Sequence, residues 1–189
     1  MTVVLVVDDS LVDRRLVGGL LEKNPRWTIQ YAENGADALA RIKASSPDIV
    51  VTDLLMPEMD GLELVTAVRL FHPGLPVVLI TAHGTEALAL EALERGAASY
   101  VPKSQLSDKL AGTVERVLSL ARADRSHKRL IECLTGSQLV FCLDNDPSLI
   151  DALVDLVQGL VTGMGLCDPA ERVRVGVALE QALLNALYR

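Results

Sequence analysis

The chain lacks any run of about eighteen apolar residues, so no membrane-spanning helix and no membrane partner are expected. It lacks a basic, cleavable leader: MTVVLVVDDS is apolar without a basic flank and reads as a first strand. It lacks an excess of positive charge. With 18 Lys and Arg against 25 Asp and Glu, the formal net charge of −7 argues against a nucleic-acid partner. It also lacks any CxxC pair. Cys133, Cys142 and Cys167 are odd in number and widely spaced, and read as buried free thiols in a reducing cytoplasm. What the chain does have is a half-apolar composition over 189 residues, enough for one sizeable domain with part of another.

The most informative stretch is Pro47 to Gly61, PDIVVTDLLMPEMDG. An apolar, β-branched run from Ile49 to Thr52 leads into Asp53, and Asp60-Gly61 marks a turn. Asp53 therefore stands at the C-terminal end of a buried strand, the edge where open parallel α/β sheets bind ligands. A carboxylate there must be solvated, paired or metal-bound.

The remaining elements alternate. Thr2–Val7 is a strand ending at Asp8-Asp9, and Ser10 is an N-cap for a helix carrying Leu11, Leu16, Leu20 and Leu21. Trp27–Tyr31 is a strand, and Asn34-Gly35 opens a helix through about Ala44. After the Asp53 strand come a helix over Leu62–Phe71, a strand over Pro76–Ile80 followed by Thr81, and a helix over Thr85–Arg95 capped by Gly96. A short strand, Ser99–Val101, leads to Pro102-Lys103, and helix resumes near Ser107. Five strands alternating with five helices in about 120 residues predict an α/β fold, a five-stranded doubly wound parallel sheet. Its strand ends bring Asp8, Asp9, Asp53, Thr81 and Lys103 to one rim.

Carboxylates crowded on a rim raise one another's pKa unless a cation sits among them, and Mg²⁺ suits an all-oxygen site. Asp8 or Asp9 with Asp53, and a backbone carbonyl near Leu55, would make such a site. The Lys103 ammonium suits a phosphoryl oxygen, and the Thr81 hydroxyl suits another. The set fits in-line attack of a carboxylate on phosphorus, with Asp53 the nucleophile because it stands alone on the central strand. A flavodoxin-like cofactor site would need a phosphate-cradling loop after the first strand, where paired acids stand instead. A phosphatase with an Asp nucleophile would commonly want a second acid at Leu55.

VVDDS, TDLLMPEMDG, Thr81-Ala82 and Tyr100-Val101-Pro102-Lys103, in this order and spacing, resemble the receiver domain of two-component response regulators, a flavodoxin-like fold, over roughly residues 1–122. The resemblance implies Asp53 as phosphoacceptor, Asp8 and Asp9 as Mg²⁺ ligands, and Lys103 as phosphate contact. It implies Thr81 and Tyr100 as a switch pair and a sensor histidine kinase as phosphoryl donor. One departure stands out. The family commonly places Pro after the lysine, often through a cis bond, whereas here Pro102 precedes Lys103 and Ser104 follows. Leu55 and His83, each two residues past a rim residue, flank the phosphoryl position and are candidates for tuning water access.

Beyond the receiver, Leu106, Leu110, Thr113, Val117 and Leu120, then Asp124, His127, Ile131 and Leu134, repeat at four-and-three spacing. The register predicts one long helix to about Leu134, with residues 123–136 as a helical linker and a candidate homodimer contact. Arg122, Arg125, Lys128 and Arg129 read as a solvated basic face. His127 is followed by Lys128 rather than an acid and is not read as a phosphotransfer site.

Residues 137–189 read as a mostly helical segment with one strand, Gln138–Leu143, then helices over Ser148–Val161 and Ala170–Tyr188, the last capped by Asp168-Pro169. This order, ending VALEQALLNALYR, resembles the opening of the GHKL ATPase fold of anti-sigma-factor serine kinases. Asn185 matches that family's metal–nucleotide Asn. Gln181 stands where the family has a catalytic Glu, so no general base is present at that position. The Gly-rich loops of that family are absent, and the chain ends within a helix, so it reads as part of a longer protein in which alone ATP would bind. The leading reading is a cytoplasmic response regulator acting on a downstream regulatory protein through this output. The alternative output is a helical dimerisation or partner-docking module without nucleotide. Residues 136–189 hold no Lys and three Arg against seven acids, which disfavours DNA.

Overall fold

The apolar runs become the strands of one parallel sheet: β1 (Thr2–Val7), β2 (Trp27–Ala32), β3 (Ile49–Asp53), β4 (Val77–Thr81) and β5 (Ser99–Pro102). The computed structural model describes residues 1–82, 86–136, 138–142 and 146–188. His83 and Thr85 lie outside the described residues, as do Ser137, Leu143 and Arg189. The strand order is β2-β1-β3-β4-β5, every neighbouring pair is parallel, and β3 is central. This is the expected doubly wound sheet. Parallel neighbours need crossovers, and helices α1 (Leu11–Leu21), α2 (Gly35–Ser45), α3 (Gly61–Phe71) and α4 (Glu86–Arg95) supply them.

Side-chain alternation along the strands divides the core in two. Leu5, Val50 and Leu79 face α2, α3 and α4 through Ala38, Ile42, Leu64, Val65, Val68 and Ala92. Val4, Val6, Val51, Val78 and Ile80 face α1 and α5 through Val17, Leu21, Leu110, Val114 and Val117. A sheet covered on both faces is buried throughout its centre, which is why β3 and β4 read as unbroken apolar runs.

The helix starts follow their caps. Ser10 accepts from the Asp13 amide, Asn34 accepts from the Asp37 amide, and Asp60 forms a capping box with Glu63. Gly96, at φ +109°, follows α4 with a backbone geometry that L side chains rarely adopt.

Helix α5 (Leu106–Glu132) follows a 3-10 turn over Lys103–Gln105 and runs for 27 residues. The long helix is therefore present, and along it the four-and-three repeat and the buried face part after Val117. Leu106, Leu110, Thr113 and Val117 are buried, while Leu120 is 66% exposed and Val114 and Leu118 are buried instead. A straight helix on a sheet keeps its 3.6-residue period, and over two heptads a 3.5-residue pattern drifts about 40° off the face. Further along, Asp124 and His127 are exposed, Ile131 is half-buried, and Leu134 lies beyond the helix end and is exposed.

The chain divides into two units, Met1–Lys128 and Arg129–Arg189. In the second, α6 (Ser148–Gly163) and α7 (Pro169–Leu187) pack together, with the Gln158 side chain lying over Gly176. Asp168 caps α7 as predicted and forms a capping box with Glu171. The strand expected over Gln138–Leu143 is not formed: residues 138–142 carry no strand. A lone apolar run has no ladder partner for its N–H and C=O groups. The buried-thiol expectation is also corrected. Cys133 and Cys142 are exposed and Cys167 is half-buried, because they sit at a helix end and in connecting segments rather than on packed faces.

Gly61 fixes how closely α3 approaches the central strand, since a Cβ there would collide with the Asp53 carbonyl oxygen. Gly61→Ala is expected to lower the unfolding free energy by about 1–3 kcal/mol. The readout is the urea midpoint followed by Trp27 fluorescence, and an unchanged midpoint would contradict this close approach.

Candidate functional site

Every residue of the rim comes from a strand end. Asp8 and Asp9 follow β1, Asp53 closes β3, Thr81 closes β4, and Lys103 opens the turn after β5. The sheet thus gathers residues up to 95 positions apart in sequence, as the strand-end reading predicted. Carboxylate oxygens of Asp8, Asp9 and Asp53 lie within 4.8 Å of one another. Asp8 and Asp53 are buried, while Asp9 is exposed.

Lys103 reaches into this cluster. Its Nζ lies 3.3 Å from Asp53 Oδ1 and 3.9 Å from Asp8 Oδ2. The shortest contact, 2.8 Å, is to Asp13 Oδ2 in the first turn of α1. Arg14, also on α1 and buried, donates from Nη1 to the Asp8 carbonyl oxygen at 2.7 Å and pairs through Nη2 with Glu33 at 3.4 Å. Sequence reasoning missed both Asp13 and Arg14. The available signal was helical phase: three and four residues past the Ser10 cap, both start on the turn nearest the rim.

The electrostatics follow from crowding and burial. Burial pushes the Asp8 carboxyl up to about 6; the Ser10 amide, donating to Asp8 Oδ1 at 2.8 Å, opposes this, the Asp53 charge adds to it, and Lys103 counters. Asp53 is also raised, chiefly by burial, against the charge and hydrogen bond of Lys103 and the Leu54 amide. Burial works against the Lys103 ammonium, but the Asp13 hydrogen bond and the Asp53 and Asp8 charges outweigh it and hold its pKa above the usual value.

Asp8 Oδ2 is buried and has no hydrogen-bond partner among the described residues. A buried anionic oxygen without a donor, beside two further carboxylates, is the donor set a hard divalent cation takes. The residues present fit Mg²⁺, with Asp8, Asp9 and Asp53 able to hold it.

The other expected residues fall as follows. Thr81 is buried at the rim, paired across the ladder with Pro102. Tyr100, on edge strand β5, is 39% exposed. The Leu55 side chain is turned to solvent in the loop after β3. The described peptide bonds are all trans, and Lys103–Gln105 forms a 3-10 turn straight into α5. Gln181 and Asn185 are exposed on α7 in the second unit.

An open parallel sheet with an oxygen-rich acidic rim and a lysine aimed into it defines a doubly wound α/β protein with a cation pocket at its strand ends. A sequence profile of the response regulator receiver domain matches residues 4–115, and the chain belongs to that family. Receiver domains bind Mg²⁺ at such an acidic pocket and take phosphoryl groups from sensor histidine kinases.

The chain is 37% identical over 122 residues to the DNA-binding transcriptional regulator NtrC of Escherichia coli K12, covering 62% of this chain and 25% of that protein. It is 29% identical over 116 residues to the chemotaxis protein CheY of Bacillus subtilis, covering 61% of this chain and 97% of that one. The crystal structure of NtrX from Brucella abortus matches with a TM-score of 0.66 at 30% identity, covering 84% of this chain and 35% of that one. The match thus spans about a quarter of the length of the NtrC relative (25%). The GHKL resemblance of residues 137–189 finds no counterpart in these relatives.

A buried acid with a raised pKa binds its proton more tightly folded than unfolded. Its contribution to stability therefore declines as pH rises from about 4 through about 6, by about 3 kcal/mol for Asp8. In chelator, Asp8→Asn is expected to match wild type near pH 3 and to exceed its thermal midpoint at pH 7.5. The midpoint gain of wild type on adding Mg²⁺ is expected to grow over the same interval, and a gain independent of pH would refute the assignment.

Proposed function

We propose that this chain is a phosphorylation-controlled switch in which Asp53 accepts a phosphoryl group from a sensor histidine kinase. The observation that carries the reading is the placement of Asp53 at the end of the central strand, 3.3 Å from Lys103 Nζ and among carboxylates within 4.8 Å. A carboxylate oxygen of Asp53 attacks phosphorus, forming a new O–P bond. The bond from phosphorus to the donor's imidazole nitrogen breaks, and the nitrogen keeps the electron pair. Lys103 balances charge on a phosphoryl oxygen, and the Thr81 hydroxyl donates to another. Bound Mg²⁺, held by Asp8, Asp9, Asp53 and the Leu55 carbonyl, would supply neutralisation of the phosphoryl charge.

The readout assigned to this event is the Thr81–Tyr100 pair. Tyr100 is exposed on an edge strand, so its ring is free to reorient once the Thr81 hydroxyl is drawn to the phosphoryl group. A cytoplasmic setting follows from the histidine kinase donor.

For the second unit, the alternative output is favoured: a helical partner-docking element acting on a downstream protein or a second copy. Residues 138–142 form no strand, and α6 and α7 expose Leu156, Leu160, Val173 and Val177. The nucleotide reading rests on Asn185 alone, with Gln181 unable to act as base. Calorimetry with ATP and Mg²⁺ is expected to show no binding by the chain, and saturable binding lost in Asn185→Ala would restore the GHKL output.

With acetyl phosphate and Mg²⁺, wild type is expected to take up one acid-stable, hydroxylamine-labile phosphoryl group, and Asp53→Asn none. Lys103→Ala is expected to slow uptake by about tenfold or more, the scale of losing a charged contact to phosphate. Labelling of Asp53→Asn at the wild-type level would remove the assignment.

A further inference from the structure

Lys103 has more acceptors around it than a lysine reserved for a phosphoryl group requires. Its Nζ is shared among Asp13, Asp53 and Asp8 at 2.8, 3.3 and 3.9 Å. The shortest of these contacts goes to a residue outside the three-carboxylate cluster. Asp13 is presented from a fixed place: its amide donates to the Ser10 capping oxygen at 3.3 Å, in the first turn of α1. That turn is anchored at the rim by Arg14, which holds the Asp8 carbonyl at 2.7 Å.

We infer that Asp13 is a positioning residue that competes with the incoming phosphoryl group for Lys103, restraining the resting pocket. The inference rests on Asp53 being the phosphoryl acceptor. An ammonium has three N–H donors and no acceptor, so every strong contact to Asp13 is one withheld from a phosphoryl oxygen. The pair is partly open to water, with side-chain exposures of 31% for Lys103 and 39% for Asp13. A pair so placed is weak enough to be broken when a doubly charged group arrives.

The same carboxylate has a second, opposite effect. It adds one negative charge beside a pocket already holding three, against the positive charge of Lys103. That favours a divalent cation and disfavours an anion. Asp13 therefore strengthens Mg²⁺ binding while weakening anion binding. A residue that merely held the fold together would, on removal, weaken both.

The test uses the full chain, Mg²⁺ alone by calorimetry, and then beryllium fluoride as the phosphoryl mimic in saturating Mg²⁺. Asp13→Asn is expected to bind Mg²⁺ about two- to fivefold more weakly and beryllofluoride about two- to fivefold more tightly than wild type. Both changes are expected to shrink at 0.5–1 M salt, where exposed charges are screened within a few ångströms. In a Lys103→Ala background the gain in beryllofluoride affinity is expected to shrink to the part that the Asp13 negative charge alone accounts for, because no ammonium remains to release. Weakening of both ligands, unchanged affinities, or a gain undiminished in the Lys103→Ala background would each overturn the competitor role while leaving the Asp53 assignment standing. Failure of wild type itself to bind beryllofluoride with Mg²⁺ would overturn both.

Discussion

Mutual repulsion among carboxylates held within 4.8 Å is the constraint around which the rim is arranged. Burial of Asp8 and Asp53 strengthens that repulsion, since there is little water to screen it. The chain answers with directed groups: the Ser10 amide on Asp8, the Lys103 ammonium on Asp53, and Arg14 on the backbone between strand and helix. Among the described residues these leave the buried Asp8 Oδ2 without a donor. The pocket is thus incomplete in a specific direction, toward a cation.

Holding such a pocket open takes a rigid support. The sheet provides it by burying apolar side chains on both faces, so the free energy of the core opposes any relaxation of the strand ends. Two of the helices that cover the sheet also contribute at the rim. Helix α3 begins at Gly61 against the Asp53 carbonyl, and α1 begins with Ser10, Asp13 and Arg14. The elements that build the core are therefore the same ones that aim the polar groups.

Much of this was legible in the sequence because it is local. Unbroken apolar runs marked β3 and β4, caps marked helix starts at Ser10, Asn34 and Asp168, and strand-end positions marked Asp8, Asp9, Asp53, Thr81 and Lys103. The errors were of two physical kinds. The cysteines read as buried thiols, but Cys133 and Cys142 are exposed, at a helix end and in a connecting segment rather than on a packed face. Apolar content in Gln138–Leu143 suggested a strand, but a strand is a pairing and not a property of one segment.

By itself, the sequence determined the alternation of strand and helix, the strand ends that carry acid or base, and membership of the receiver family. Those depend on periodicity and capping within a few residues, which chain order preserves. Only the tertiary structure decided that Lys103 lies nearer Asp13 than Asp53, that Arg14 grips the Asp8 carbonyl, and that Asp8 Oδ2 is left without a donor among the described residues. These depend on how groups from different elements are brought together. Lys103 and Asp13 are 90 residues apart, and their distance is set by the packing of α1 and β5 against one sheet rather than by any spacing along the chain.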